Sequence, residues 1–308
     1  MRWYKIEIGT GLVFDATGDP NALNVELNIP VSPQNVTSGG MARVWGIDLK
    51  MLLNAKSYNN QTIKVYGGMQ TGLPLANPAQ QGLLVQGTVF PALGNWIGSD
   101  MTLDFFITAP TGRSSAKGNA NVIHNWSANT PLSQAIKQTL STAFPKFTPV
   151  INISQNLKLP YTDTGFYQTL EQYSRYIFEI SKTINSAASY LGVHITLQGD
   201  KIIVDDGTVQ TGAGVLNYTD LIGQPIWTGV KTVQFKTVMR GDLTVGQTVQ
   251  MPPTLATLTQ SANSAAAPST SASNLIQGSF KLQKMLHMGN FRQPDATAWC
   301  TTFDATQV

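Results

Sequence analysis

The chain is poor in cysteine and in charge, and both shortages narrow what it can be. Of its 308 residues only Cys300 is a cysteine, which excludes an internal disulfide and a thiolate metal site. Charged residues make up 12% of the sequence, about half of the usual share, and uncharged polar residues and glycine take their place. Such a surface suits a β-rich protein whose faces are covered by neighbouring subunits. It is equally compatible with a β protein that simply carries few charges.

The sequence also lacks the patterns of nucleic-acid binding, export and membrane insertion. The net charge is +3 and no cluster of lysine and arginine is present, so we expect no specific nucleic-acid binding. The first apolar run, within residues 1–8, contains charged residues, and no apolar run is long enough to span a bilayer. We therefore expect neither a signal peptide nor a membrane anchor, and synthesis in a reducing cytoplasm.

No constellation of catalytic residues is visible. His124, His194 and His287 are far apart in the sequence and lack a metal-ligand partner at helical spacing, so we interpret each as a structural or surface residue. The pair Asp205-Asp206 precedes a glycine, where Asp-Gly is ordinary turn chemistry. The sequence has no phosphate-binding glycine loop, nucleophile elbow or dinucleotide fingerprint. We predict no enzyme, no cofactor, and no catalytic, cofactor-binding or metal-binding residue.

What is present is strand patterning, most clearly in the stretch Val233–Pro253. Its first part alternates between apolar and polar residues as a half-buried strand does, and glycines 241 and 246 mark turns. We interpret the tripeptide at 240–242, Arg-Gly-Asp, as a hairpin turn. The stretch as a whole is typical of a small β barrel.

Residues 1–112 are predicted to form one β barrel or sandwich with a small helix. Alternating apolar residues indicate strands at Tyr4–Ile8 and Leu23–Ile29, and the turn sequence at 18–21 predicts that the two form a hairpin. Asp48 precedes apolar residues at helical spacing and is expected to cap a short helix. Further strands are predicted over 62–66, 82–90 and 101–108.

Residues 113–193 are predicted to form a mixed helical connecting domain, after a polar stretch at 111–118. One helix is expected between Thr130, as its N-cap before a proline, and Pro145. A longer helix is predicted from apolar residues spaced by four and three, namely Phe166, Leu170, Tyr173, Ile177, Ile180, Ile184, Ala187 and Leu191. That spacing is compatible with a coiled coil. We favour a helix packed on its own domain and broken near 183–186, because charged flanking positions are scarce.

Residues 194–308 are predicted to form a second β domain. A hairpin is expected at 194–204, and its sheet is expected to continue with strands over 229–237 and 244–251. The segment from about 255 to 276 is rich in serine and alanine and cannot bury enough apolar surface, so we expect a mobile loop there. Two closing strands are predicted after it, at 279–288, with Phe280, Leu282 and Leu286 on one face, and at 298–305.

From residue 239 onward, four features follow one another in a fixed order. They are the glycine-punctuated segment Met239–Pro252, a variable loop, the turn His287-Met-Gly-Asn-Phe291, and a closing strand with Trp299-Cys-Thr301. In this order they resemble the baseplate hub proteins of long-tailed, contractile-tailed bacteriophages and related injection machines. The resemblance implies a mainly β (α+β) fold with two tail-tube-like β-barrel domains and a mixed helical region between them.

The same resemblance implies a structural virion protein. Hubs of this family look like homotrimers whose paired tube-like domains give a ring of pseudo-six-fold symmetry. Such a ring joins the hexameric tail tube to the trimeric central spike and forms part of the axial channel for genome delivery. The implied partners are the tail tube protein, the central spike protein, other baseplate proteins and the tape-measure protein, with DNA passing through the channel. The implied location is the tail baseplate of the virion, after assembly in the cytoplasm of the bacterial host.

Two other classes of function stay open at the level of sequence. A tail-tip enzyme that degrades peptidoglycan would need a carboxyl group poised in a cleft, and Glu171 and Glu179, the only glutamates of the longer helix, are its candidates. A receptor- or carbohydrate-binding β module is favoured by the content of tryptophan and tyrosine.

Overall fold

The computed structural model describes residues 1–33, 39–71, 77–108, 121–209, 212, 214–255 and 275–308. The boundary stretch predicted at 111–118 and residues 256–274 of the predicted loop lie outside these ranges. The strands of the first third of the chain are β1 Arg2–Ile8, β2 Leu12–Asp15, β3 Val25–Val31, β4 Gly40–Trp45, β5 Thr62–Met69, β6 Gly82–Ile97 and β7 Asp100–Thr108. A short helix, α1 Leu49–Leu53, lies between β4 and β5.

The middle of the chain mixes helices and short strands. Its elements are β8 Val122–Trp126, α2 Leu132–Ala143, β9 Thr148–Asn152, β10 Asp163–Tyr167, α3 Leu170–Ile184, β11 His194–Gln198 and β12 Lys201–Asp205. The last third is again built of strands: β13 Gly214–Val215, β14 Ile226–Trp227, β15 Thr232–Val238, β16 Thr248–Leu255, β17 Leu275–Asn290 and β18 Trp299–Gln307. The mainly β (α+β) fold class is confirmed. No helix in the described ranges is long and apolar enough to cross a membrane.

Buried apolar side chains form three clusters, which give the units named below. We call β1–β7 the first β unit, β8–β12 with α2 and α3 the middle unit, and β13–β18 the second β unit. The first cluster fills the first β unit, the second fills the middle unit and includes Ile195 and Val204 of β11 and β12, and the third fills the second β unit. Three buried apolar side chains cross between the β units: Met239 and Trp299 lie in the first cluster, and Val31 lies in the third.

A 13-stranded sheet contains every strand of the two β units. Its main path runs β14-β15-β18-β17-β3-β4-β7-β6-β5-β1-β2, and β16 and β13 extend from β17 as a branch. The two β units are joined where β17 pairs antiparallel with β3, from Met285 opposite Val31 to Asn290 opposite Glu26. The middle unit has its own sheets, a three-stranded one ordered β11-β12-β9 and a two-stranded one of β8 and β10.

The predicted hairpin between residues 4–8 and 23–29 is wrong. Residues 12–15 form strand β2, which folds back on β1 after a tight turn in which Gly9 has a φ of +56°. The other edge of β1 is taken by β5. Strand β3 therefore finds its partners elsewhere, in β4 and in β17. The predicted cap is confirmed, since Asp48 Oδ1 accepts a hydrogen bond from the Met51 amide at 2.7 Å.

Both predicted helices of the middle unit are confirmed, and their ends need correction. The Thr130 hydroxyl donates to the Ser127 carbonyl and does not cap α2. Helix α3 buries Leu170, Tyr173 and Ile177 against its own unit, as favoured, and ends at Ile184 within the predicted break. Ile180 and Ile184 also lie in α3, and three members of the apolar series lie outside it: Phe166 in β10, and Ala187 and Leu191 after the helix.

The predicted β11–β12 hairpin is confirmed, but it does not continue into the sheet of the second β unit. Strand β12 pairs with β9 instead, because the buried faces of both hairpin strands pack against the helices of the middle unit. The two closing strands are confirmed as β17 and β18. Within β17 a register shift between Leu282 and Lys284 moves Met285, and not Leu286, onto the buried face with Phe280 and Leu282.

The two β units repeat one topology. In the first unit the spatial order is β1-β5-β6-β7-β4-β3, with β2 as an additional strand beyond β1, and in the second it is β13-β16-β17-β18-β15-β14. Strand for strand the chain order is also the same, so β3 corresponds to β14, β6 to β17 and β7 to β18. The corresponding strands β6 and β17 each span 16 residues and contain a bulge, and β7 and β18 each span 9 residues. All neighbouring pairs are antiparallel in both units except β13 with β16, which is parallel.

Candidate functional site: the junction between the two β units

Arg240 lies at the centre of the contact between the two β units. Its side chain is 4% exposed, and its charge is met by two carboxylates. The Nε and Nη2 groups donate to the two oxygens of Asp242 at 2.7 and 2.6 Å, and Nη1 lies 3.5 Å from Oδ2 of Asp220. A buried guanidinium needs such partners, because it has lost its hydration. The bidentate geometry with Asp242 also fixes the direction of the side chain.

The first β unit contacts the same cluster through Gln80, which lies two residues before the start of β6. The Gln80 side-chain amide donates to Oδ1 of Asp220 at 2.9 Å in a buried hydrogen bond. Asp220 is itself held in place, since Oδ2 accepts from the backbone amide of Asn217 at 2.9 Å. One carboxylate of the second β unit therefore binds both Arg240 of its own unit and a side chain of the first.

Gly241 allows the two backbones to touch. Its amide donates to the Gln80 carbonyl at 2.8 Å. A Cβ atom at position 241 would lie 2.8 Å from backbone atoms of Gly82, and a Cβ at 82 would lie 2.7 Å from the Gly241 carbonyl oxygen. Glycine is thus required on both sides of this approach. The tripeptide at 240–242 is not a hairpin turn, because β15 and β16 pair with other strands and not with each other.

Side chains on either side of Arg240 extend the junction. The Trp299 indole donates to the Gly68 carbonyl of β5 at 2.9 Å, and Met239 is fully buried in the first cluster. The Thr301 hydroxyl accepts from the Arg240 amide at 3.2 Å and lies 2.9 Å from Nδ1 of His287. Arg2 also crosses the junction, donating to the carbonyls of Asn290 at 2.7 Å and Asp295 at 2.6 Å.

The three histidines are not brought together. His287 is buried at the junction, and His124 is buried in the middle unit, where the Tyr173 hydroxyl lies 3.0 Å from Nδ1. Burial disfavours the charged form of the imidazole and lowers the pKa of each of these two histidines to about 4. His194 is half-buried at the start of β11, and burial lowers its pKa as well. Within the described ranges no three metal-binding side chains converge.

Asp205 and Asp206, the paired carboxylates noted in the sequence, both make contacts that hold the fold together. Asp205 accepts from the Gly207 amide at 2.8 Å, as expected of an Asp-Gly turn, and forms an ion pair with Lys281 at 2.7 Å. Asp206 is buried and accepts hydrogen bonds from the Ser154 and Thr208 amides. Both carboxylates therefore connect segments of the fold.

Gln80 and Asp220 were missed by sequence reasoning. They are separated by 140 residues, and neither lies in a recognisable motif. The only sequence signal for the junction was the Arg-Gly-Asp tripeptide itself. An arginine followed by glycine and aspartate is also typical of an exposed turn, so the tripeptide did not indicate a buried site.

The fold is similar to that of two solved tail proteins. The 43 kDa tail protein of prophage MuSo2 from Shewanella oneidensis matches with a TM-score of 0.54 and 7% identity, over 100% of this chain and 98% of that chain. The tail protein from Neisseria meningitidis MC58 matches with a TM-score of 0.53 and 9% identity, over 99% of this chain and 96% of that chain. No protein-family model and no curated protein matches the sequence. The likeness is one of fold, and it extends over the whole chain.

Replacing Arg240 with alanine leaves Asp220 buried without its cation. We expect the free energy of unfolding, measured by urea denaturation, to fall by about 3 kcal/mol or more. Arg175→Ala is the matched control, because Arg175 also pairs with a carboxylate, Glu171, but is 76% exposed; it should cost less than about 0.5 kcal/mol. Equal losses for the two variants would contradict the role given to Arg240.

Replacing Gly241 with alanine forces the backbones of the two β units apart. Overpacking of this kind costs about 1–3 kcal/mol, and we expect a loss of that size in the unfolding free energy. Gly11→Ala, at a position where a Cβ would meet nothing within 4 Å, is the control and should leave stability nearly unchanged. A neutral Gly241→Ala would show that the close approach to Gly82 is not needed.

The lowered pKa values of His124 and His287 predict that the free energy of unfolding falls at acidic pH. Their pKa of about 4 in the fold lies below the ordinary 6.5, so protons bind the unfolded chain first and stability falls as pH drops from 6.5 towards 4. At pH 5 each histidine should cost about 2 kcal/mol relative to pH 7. Urea unfolding of His287→Gln at both pH values should show a pH-dependent loss smaller by that amount than in the unaltered protein. An unchanged difference would refute the assignment.

Proposed function

We propose that the protein is a structural component of a phage tail or a related injection machine, the trimeric baseplate hub that joins a hexameric tail tube to a trimeric central spike. The observation that carries this proposal is the repeated topology of the two β units. Three copies of a chain with two equivalent units present six equivalent units around one axis. Such a ring can match six subunits on one face and three on the other.

The likeness to two tail proteins supports the same conclusion at the level of fold, since it covers the whole chain and both β units. The junction supports it mechanically. A symmetry adapter needs its two units in one fixed relation, and here a shared sheet and a buried ion cluster supply that relation. The low share of charged residues suits a chain with much of its surface in subunit contacts.

We propose a division into three domains that follows the apolar clusters. For the first we keep the proposed range of residues 1–112. We place the boundary between the second and third at the end of β12, near residue 205, and not at 193, because Ile195 and Val204 pack in the cluster of the middle unit. The ion pair between Asp205 and Lys281 then connects the second domain with the third.

The proposed partners are further copies of this chain, the tail tube protein, the central spike protein, other baseplate proteins and the tape-measure protein. DNA would pass through the axial channel without sequence-specific contacts. The proposed location is the tail baseplate of the virion, after assembly in the host cytoplasm. Glu171 and Glu179, the candidates for an enzymatic alternative, are both exposed on α3, outside the sheltered setting that acid–base catalysis uses.

The oligomeric state tests the proposal directly. Native mass measurement of the purified protein should give a trimer, about 100 kDa for three chains of 33.3 kDa. Mixed with the tail tube protein of the same particle, the protein should bind tube ends with three copies for each ring of six tube subunits. A chain that stays monomeric at all accessible concentrations, alone and with tube protein, would overturn the proposal.

A further inference from the structure

The second half of β6 has an open edge at a place where its counterpart β17 is covered. On the side away from β18, β17 pairs first with β16 and then, after its bulge, with β3 of the first β unit. On the side away from β7, β6 pairs with β5 up to Thr88. Beyond the bulge of β6, residues 92–97 have no second strand partner among the described residues.

Three side chains of this open segment are apolar and exposed. Leu93 is 44%, Trp96 64% and Ile97 53% exposed. In the equivalent part of β17, residues 285–290, every residue is buried or half-buried, because β3 lies beside it. Trp96 and Ile97 are consecutive and so face opposite sides of the strand. Apolar surface is therefore exposed on both faces of the end of the β6–β7 hairpin.

The Ala92 amide donates to Asn59 Oδ1 at 2.7 Å, and no side chain within residues 93–97 blocks the rest of the edge. Proteins usually block an exposed edge strand with lysine, proline or an inward-pointing charge, and this segment contains none of these. An unprotected apolar edge is the kind of surface that accepts a further strand from a partner.

The repeated topology identifies the strand that fits. In the junction within the chain, the strand that covers β17 is β3, and the counterpart of β3 is β14. Strand β14 pairs with β15 on one side only, and its other edge has no strand partner in the described part of the chain. One chain thus carries both halves of a second junction, which it cannot close by itself.

We infer that residues 92–97 of β6 in one copy of the chain pair antiparallel with residues 224–229, which contain β14, of the next copy. This inference rests on the proposed ring-forming function. Transferring the register of the β17–β3 pairing places Leu93 opposite Thr228 and Ile97 opposite Gln224 of the neighbour.

The contact is head-to-tail, so it forms a ring when the rotation between copies closes. In a ring of three chains, three junctions within chains alternate with three junctions between chains. The same type of strand pairing then occurs six times around the ring. The exposed end of the β6–β7 hairpin would then be covered as the end of β17 is.

Engineered disulfides test the pairing, since opposite residues of antiparallel strands lie at distances that a disulfide spans. The only native cysteine, Cys300, is buried. In the full chain, the double variants Leu93→Cys/Thr228→Cys and Ile97→Cys/Gln224→Cys should form covalent dimers and closed trimers on oxidation. Each single variant alone should stay unlinked, and a mixture of two complementary single variants should stop at dimers.

The control is Val13→Cys/Thr228→Cys, because β2 is the terminal strand at the other end of the sheet and Val13 is 51% exposed. It tests simple end-to-end extension of the sheet and should give no crosslink. Crosslinking of this control in place of both designed pairs would overturn the inference. A native trimer without any crosslink in either designed pair would also overturn it, and would leave the proposed function standing.

A charge in the open edge gives a second readout that does not depend on disulfide geometry. Trp96→Glu, at a side chain that is 64% exposed, should leave thermal unfolding of the monomer nearly unchanged while weakening trimer formation at least tenfold. Val13→Glu, on β2, should leave the trimer intact. Equal trimer formation by Trp96→Glu and the unaltered protein would contradict the pairing.

Discussion

A buried guanidinium is the constraint on which the arrangement of the two β units depends. Arg240 has lost its contact with water, so its carboxylate partners must stay where they are or a charge is left uncompensated in the interior. A buried ion pair is a poor source of net stability, because desolvation offsets most of the attraction. It is a strong source of geometric selectivity, since an alternative packing of the two units would break the Gln80–Asp220 hydrogen bond and uncover Arg240, whose ion pairs both lie within the second unit.

The rest of the junction acts in the same direction. Glycine at 241 and 82 lets the backbones touch, the β3–β17 pairing makes one sheet of two units, and Trp299 places an indole from one unit in the core of the other. Each contact is ordinary in kind. Together they remove the hinge that a chain with two similar units would otherwise have, and a rigid pair is what a ring with two units per subunit requires.

The local part of this fold was visible in the sequence, and the long-range part was not. Alternation in β15 and the cap at Asp48 depend on neighbours in the chain, and both were predicted correctly. One of the two partners of β3, strand β17, is more than 250 residues away, so a nearby turn at 18–21 suggested the wrong hairpin. The prediction of a hairpin turn at the Arg-Gly-Asp tripeptide was wrong for the same reason, because Gln80 and Asp220 come close to it only in the folded chain. The repeat of the two units lies in strand order, which needs no similarity of residues.

The central claim is that two topologically equivalent β units, held in one fixed relation, build a ring of six. Cryo-electron microscopy of the purified assembly, viewed along its axis, tests this most directly. The account predicts a closed three-fold ring with six β-rich lobes at nearly equal radius, every second lobe joined to a helical middle unit. A ring in which only three lobes surround the axis, with the second β units at a different radius, would contradict it.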